Sequence, residues 1–454
     1  MKDYLFTAED INLIFNAHLN SKLKFKNVAL DSREIKDHGI FIAFKGKKND
    51  GHNFVQKITN KKNNLAIVSK NAINKKNIIK VKNTLEGLRN LADYSRQRSK
   101  TTIIAITGSC GKTSLKNLLS HTLKKFGSTY APPKSFNNHI GVPYALANLS
   151  LKNKYGVFEV GMSSKGEIDK LASMIKPDIG IITNIGPAHL ENFKNLLGIC
   201  KAKSELIDSI EKGGYIILNR DDNFFNFLKN KAKKNNVNVI SFGFLKADLQ
   251  IKNSVKKFNN KLLIKVNNKV LKFNIKKNNK IYLYNIAATI AVHFCLGHSL
   301  YRCRNIFQNI KPTEGRGNEK LIKIFNKNIF LVNDSYNSNP LSLTEAIHNF
   351  DLRKVNAKER KIILIGDMLE LGKKTKFYHE KIAFLVNKTN IDKVCCVGPN
   401  MLDAYNKLIE AKRGFFIKNV KYLEEELSKI LKNNDILLVK SSNKIGLFNF
   451  FKKF

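Results

Sequence analysis

The chain has 454 residues, with 80 Lys+Arg against 36 Asp+Glu, giving a formal net charge of +44. Its 43% hydrophobic and 26% charged residues exclude a disordered polar tract and a membrane bundle. At about 100–200 residues per domain, a chain of this length holds several cores. The basic excess raises nucleic acid as a partner. Yet Lys and Asn recur with Ile and Phe from end to end, as in Lys61-Lys62-Asn63-Asn64 and Lys276-Lys277-Asn278-Asn279. That reads as whole-chain composition, not a polyanion patch.

In chain order, Asp3, Glu9 and Asp10 stand where an export signal needs a basic start and an apolar core, so no such signal is expected. Phe41-Ile42-Ala43-Phe44 and Leu65-Ala66-Ile67-Val68 read as strands, and Leu85 to Tyr94 reads as a helix. Thr101 to Ile106 is a β-branched strand that stops at Gly108, and Leu115, Leu118, Leu119 and Leu123 then mark one helix face. Gly156 to Val160, Ile179 to Ile185 and Tyr215 to Leu218 follow as strands. This alternation predicts an α/β fold with a mostly parallel sheet covered on both faces. Asn253 to Lys280 has alternating Leu-x-Ile-x-Val and predicts a solvated antiparallel hairpin. Ile281 to Leu300 is uncharged but carries Asn285, Thr289, His293 and His298, so it reads as a buried helix and not a membrane span. After Pro312 a second strand–helix series begins, with strands at Asn328–Val332, Lys361–Ile365, Lys393–Val397 and Ile436–Val439. Three domains are predicted, residues 1–95, 96–312 and 313–454. The six cysteines form no Cys-x-x-Cys pair, which points to a reduced, cytoplasmic protein without structural zinc.

The strongest local signal is Thr107-Gly108-Ser109-Cys110-Gly111-Lys112-Thr113, between a buried strand and an amphipathic helix. That is the setting of a P-loop, in the shorter form that has Ile106 where the general pattern has a first glycine. Backbone N–H groups and the helix N-terminus would cradle phosphates, Lys112 would reach the β/γ-phosphates, and Thr113 would offer its hydroxyl to Mg²⁺. Cys110 reads as a bystander thiol. Glu159, at a strand end, is a carboxylate facing the phosphates across the sheet's C-terminal edge. His189 follows the next strand in Gly186-Pro187-Ala188-His189-Leu190-Glu191 and is a further ligand candidate.

With these residues the chain resembles the Mur ligases, ATP-dependent amide-forming enzymes of peptidoglycan precursor synthesis. The resemblance is carried by Asp31-Ser32-Arg33 and Asp50-Gly51-His52, by the P-loop, and by Asn137-Asn138 with Gly141-Val142-Pro143. Glu159, Ala188-His189, Ala202-Lys203, Asn285 and Gly315-Arg316 extend it, together with Asp334-Ser335-Tyr336-Asn337-Ser338-Asn339-Pro340 and Gly366 to Gly372. It implies a small N-terminal α/β domain that binds UDP, a central P-loop ATPase domain and a C-terminal Rossmann-like domain. It also implies ATP and two Mg²⁺ ions, with UDP-N-acetylmuramoyl-tripeptide and D-alanyl-D-alanine as substrates. Such an enzyme serves cell-wall biogenesis, and through it cell shape and division. Nucleic acid and membrane insertion are not expected, and a monomer is.

Residue by residue, the resemblance implies catalytic roles for Lys112, His189 and Lys203, the last carbamylated so that it holds metal beside Thr113, Glu159 and His189. It implies ATP contacts from Gly108, Ser109, Cys110, Gly111, Lys112, Thr113, Ser114, Asn285, Arg316 and Asp334. Ser32, Arg33, Asn137, Asn138, Tyr336, Asn337 and Asn339 would line the muramoyl-peptide site. Read without the family, Lys203 is one of several lysines on a solvated helix face, and Asn285 is a cap on the helix Ile286 to Leu296. Asn333 replaces a second Asp usual beside Asp334 in the D-alanyl-D-alanine-adding type, and Lys440-Ser441-Ser442 lacks a glycine of the final family motif. The rival readings are a sister ligase or a folylpolyglutamate synthetase, and, in another class, a basic P-loop ATPase acting on nucleic acid. The blocks at 334–340 and 366–372 argue against the first two, and the lack of clustered Lys/Arg with interleaved aromatics argues against the third.

Overall fold

The computed structural model describes residues 4–46, 49–61, 63–69, 77–252, 261–276, 279–310 and 312–454. Three α/β units follow one another, each built on its own sheet. In the first, strands Asn27–Ala29, Gly39–Ile42, Leu65–Val68 and Ile78–Lys80 pair in parallel in that order. The outer two were not legible as strands, being three residues each. Asn83 then caps the helix Thr84–Arg98, which leads into the second unit; residue 95 lies inside this helix.

Among the described residues the central sheet has nine strands. Thr102–Thr107 lies between Ile179–Ile182 and Tyr155–Glu159, all parallel, with Tyr215–Asn219 and Asn238–Gly243 continuing beyond Ile179–Ile182. Ile103 to Thr107 are buried because helices cover both faces, as a parallel sheet demands. Part of the predicted hairpin, residues 253–260 and 277–278, lies outside the described residues. The rest, Lys261–Val266 with Lys269–Asn274, is antiparallel and extends the sheet edge. It is not simply solvated, because Leu262, Ile264, Val266, Leu271 and Phe273 are buried.

The third sheet has the order Asn318–Ile324, Lys327–Asp334, Ile436–Lys440, Lys361–Gly366, Lys393–Val397 and Arg413–Ile417. Only its first pair is antiparallel. That edge strand, Asn-Glu-Lys-Leu-Ile-Lys-Ile, was missed because half of it faces solvent.

One boundary needs correction. The apolar helix runs Lys280–Cys295 and is capped by Asn279, whose side chain accepts from the Tyr282 N–H. Asn285 is therefore buried inside the helix and does not cap it. No described helix is long and apolar enough to cross a membrane.

The far end of this helix carries a buried polar network. His293 Nε2 lies 2.9 Å from Thr122 Oγ1, its Nδ1 lies 2.9 Å from His298 Nδ1, and His298 Nε2 lies 2.8 Å from the Tyr155 hydroxyl. Burial, with His298 adding to it, lowers the His293 pKa from 6.5 to about 3. The unfolded chain therefore binds a proton that the folded chain refuses, and stability falls as pH drops from 6.5 towards 3. Urea midpoints measured between pH 7.5 and 5 should decline, and less steeply in His293→Gln. An equal slope in the variant would remove His293 from the account.

Candidate active site at the junction of the central and C-terminal units

The P-loop turn is built by its glycines. Gly108 has φ 142° and Gly111 φ 84°, both in the region that favours glycine. A Cβ on Gly108 would sit 1.9 Å from Thr183 Oγ1, so no other residue fits there. The turn is bolted to the neighbouring strand's loop. Thr183 Oγ1 donates to the Cys110 carbonyl at 2.6 Å, the Cys110 N–H donates to Asn184 Oδ1 at 2.9 Å, and Ser109 Oγ donates to the Gly186 carbonyl at 2.9 Å. The helix Lys112–Leu123 starts directly behind, so the free N–H groups of its first turn, Ser114 included, face the loop's concavity.

Lys112 folds back onto the loop, its Nζ donating to the Gly108 carbonyl at 2.7 Å. Burial lowers its pKa, with Glu159 opposing. Thr113 Oγ1 donates to Glu159 Oε2 at 2.8 Å, and Asn137 Nδ2 donates to Glu159 Oε1 at 2.7 Å. A hydroxyl and a carboxylate side by side at the phosphate end of a P-loop form the partial oxygen set that Mg²⁺ uses when phosphates and water complete its shell. The residues present fit such an ion. Among the described residues no group of three or more His, Cys, Asp or Glu forms a ready cage.

Lys203 corrects the residue-only reading. It lies on the helix Leu196–Asp208 but is 2% exposed, so it is not on a solvated face. Burial, then the nearby Lys112, holds its pKa well below the usual lysine value. Asn285 sits against the P-loop: a Cβ on Gly111 would lie 3.0 Å from its Oδ1.

The C-terminal unit closes the far side. Asn339 caps the helix Pro340–Asp351 through Oδ1, while its Nδ2 donates to the Ser109 carbonyl at 3.1 Å. Arg316 stacks over the Tyr336 ring at 4.4 Å, and its guanidinium lies 3.5 Å from Ser135 Oγ, which is itself 3.1 Å from Thr113 Oγ1. Asp334 pairs with buried Lys440 at 2.9 Å, and Lys440 Nζ also donates to the Asn337 carbonyl at 2.7 Å. Asn333, in place of the usual Asp, accepts from the Ser335 hydroxyl at 2.5 Å and braces this turn.

His189 adopts φ 57°, and its Nδ1 lies 2.6 Å from Glu370 Oε2. The Glu191 N–H also donates to the Glu370 carbonyl at 3.1 Å, so the 366–372 block docks on the His189 loop. Its Asp367 is a buried brace, accepting from the Met401 N–H at 2.9 Å and Asn400 Nδ2 at 2.8 Å.

Other expected residues lie apart. Asn138 commits its side-chain Oδ1 to the Gly141 N–H at 2.8 Å, and Asn337 is exposed. Ser32 and Arg33 sit in the N-terminal unit. Arg33 is exposed and grips Asp31 at 2.6 Å, holding that carboxyl near 2. Sequence reasoning missed Ser135 and Lys116, and it named Lys440 and the block holding Glu370 without their partners Asp334 and His189. None sits in a local pattern that singles out its partner.

A P-loop whose phosphate end is walled by a second α/β unit defines an ATP-dependent enzyme that works at a domain junction. Residues 106–293 match the Mur ligase middle domain, and residues 321–443 match the Mur ligase glutamate ligase domain. The chain is 31% identical to the UDP-N-acetylmuramoyl-tripeptide–D-alanyl-D-alanine ligase of Rickettsia prowazekii, over 98% of each chain. It is 33% identical to the enzyme of that name from Buchnera aphidicola subsp. Acyrthosiphon pisum, over 96% of this chain and 95% of the other. The fold matches MurF from Acinetobacter baumannii with TM-score 0.85 at 24% identity, covering 100% of this chain and 99% of that one. It also matches the Thermotoga maritima MurF ligase in complex with ADP, at TM-score 0.77 and 24% identity over 94% and 96%. The chain belongs to the Mur ligase family.

Proposed function

We propose that this chain joins D-alanyl-D-alanine to UDP-N-acetylmuramoyl-tripeptide at the cost of ATP, acting in the cytoplasm as a monomer. Its functional parts are divided at about residues 95 and 313. The observation that carries the reading is the convergence at Ser135, where Thr113 of the P-loop and Arg316 of the C-terminal unit meet one hydroxyl. Full-length similarity to relatives bearing that activity's name supports it.

In this reading ATP phosphorylates the tripeptide's terminal carboxylate, the dipeptide amine attacks the acyl phosphate, and the tetrahedral intermediate expels phosphate. Each step concentrates negative charge, so fixed cations and N–H dipoles dominate the catalysis. Lys112 and the P-loop amides from Gly108 to Ser114 hold the phosphates, with Cys110 contributing its backbone. Arg316 approaches from the other wall. Asn285 faces adenine, and Asp334, held by Lys440, faces the ribose. Thr113 and Glu159 hold one Mg²⁺, while His189 and Lys203 as carbamate hold a second. Two such ions supply charge neutralisation at the phosphoryl group. Ser32 and Arg33 receive the UDP moiety, and Asn137, Asn138, Tyr336, Asn337 and Asn339 shape the cleft for the muramoyl-peptide.

The test is ADP release with the tripeptide nucleotide and three acceptors: D-alanyl-D-alanine, glutamate or a diamino acid. Turnover with the D-dipeptide alone is expected. Turnover with glutamate or the diamino acid would assign a sister activity, and stimulation by DNA alone would overturn the reading.

A further inference from the structure

Lys116 lies one turn beyond Lys112 on the P-loop helix, and its side chain is fully buried. A buried ammonium is costly unless its donors are met. Here two of its three are met by backbone: Nζ donates to the Pro132 carbonyl at 2.6 Å and the Lys134 carbonyl at 2.8 Å. Among the described residues no carboxylate is ion-paired with it. Glu159 and Arg316 are the charges it feels.

The segment it holds, residues 131–138, is neither helix nor strand, yet it touches all three units. Lys134 Nζ reaches Glu34 Oε1 of the N-terminal unit at 2.9 Å. Ser135 stands between Thr113 and Arg316 of the C-terminal unit. Asn137 holds Glu159 through its side chain, and its carbonyl accepts from the Gly161 N–H at 2.8 Å. A segment without its own ladder needs another source of rigidity to aim two side chains at one carboxylate–hydroxyl pair.

We infer that Lys116 is a positioning residue: by fixing the Pro132 and Lys134 carbonyls it aims Ser135 and Asn137 at Thr113 and Glu159, and so couples the muramoyl-peptide site to the phosphate site. Its own contacts are backbone carbonyls, so it acts through the segment it holds. A side chain of similar length without the ammonium fills the space but takes the charged donor from both carbonyls, leaving the Lys134 carbonyl only the Phe136 N–H at 2.9 Å. The inference takes its substrate from the proposed function, while the loop ordering does not depend on it.

Two readouts on the full-length protein test it, using Lys116→Met and Lys116→Gln, the latter keeping a shorter donor. In Lys116→Met, backbone hydrogen exchange across 131–138 should quicken by about tenfold without ligand, the scale of losing hydrogen bonds to a charged donor. KM for UDP-N-acetylmuramoyl-tripeptide should rise by about tenfold or more while ADP affinity stays within about twofold, a split that a general loss of stability does not give. Lys116→Gln should fall between, and it takes over both readouts if the methionine variant does not fold. Unchanged exchange with unchanged KM, or equal losses for tripeptide and ADP, would overturn the inference. If the wild type makes no product from the tripeptide and D-alanyl-D-alanine, the proposed function fails, and the exchange readout alone decides on Lys116.

Discussion

Lys112→Met is expected to lower kcat for ATP-dependent ligation by about 10³-fold, the upper range for losing one preorganised charge donor. The ammonium donates to the Gly108 carbonyl, 2.7 Å away, so it sits within the phosphate-binding turn, where a phosphate oxygen can take the carbonyl's place. Its neighbours sharpen the expectation. Glu159 is bonded by Thr113 and Asn137, leaving Lys112 as the P-loop's own cation, held on a backbone carbonyl and, among the described residues, not in an ion pair. The fold should not suffer, because burial disfavours the charged lysine and methionine removes that penalty. A melting temperature equal to or above the wild type, with the collapse confined to kcat, is the predicted pair of results. A kcat within about tenfold of wild type would move the phosphate-stabilising role elsewhere.

The second large effect is at Lys203. A lysine that is 2% exposed beside Lys112 has its pKa held well below the usual lysine value by burial, which favours the neutral amine. A neutral amine is the form that adds CO₂: the nitrogen lone pair attacks carbon, a proton leaves, and an anionic carbamate results. That change alters the local electrostatics, since a group that Lys112 would repel when protonated becomes a carboxylate-like group that attracts Lys112. It also supplies a hard oxygen ligand of the kind Mg²⁺ prefers. Lys203→Ala should therefore lose about 10²–10³-fold in kcat, comparable with other single electrostatic stabilisers. CO₂-free buffer should slow the wild type, and added bicarbonate should restore it while leaving the variant unmoved. Activity of the variant equal to wild type would sink the assignment.

The P-loop was legible because its chemistry is local. A β-branched strand, two glycines with positive φ and a lysine at the helix start fall within a dozen residues of one another. Buried parallel strands such as Lys361–Gly366 were legible as continuous apolar runs. Short strands such as Asn27–Ala29, and the half-solvated edge Asn318–Ile324, left no such run. The start of the helix Lys280–Cys295 was misread because it is apolar nearly all round, so no periodic stripe marks its first turn. Partners brought together by folding were out of reach. Neither Glu370 against His189 nor Lys440 against Asp334 has a sequence signal that ties one member to the other. Lys116 is the sharpest case, because in a chain with 80 Lys+Arg one more lysine on a helix carries no information until its burial is seen. The same composition explains the +44 charge, since the cleft cations Lys112, Arg316 and Lys440 are a small part of it.

The central claim is that the chain activates the tripeptide's carboxylate as an acyl phosphate before the D-dipeptide attacks. The direct measurement runs the acceptor assay on UDP-N-acetylmuramoyl-tripeptide labelled with ¹⁸O in its terminal carboxylate, and reads the released phosphate by ³¹P NMR. Phosphate carrying one ¹⁸O, formed together with the pentapeptide nucleotide, is the predicted result. Unlabelled phosphate alongside ADP release would mean that ATP is hydrolysed without passing through that carboxylate, and would contradict the account.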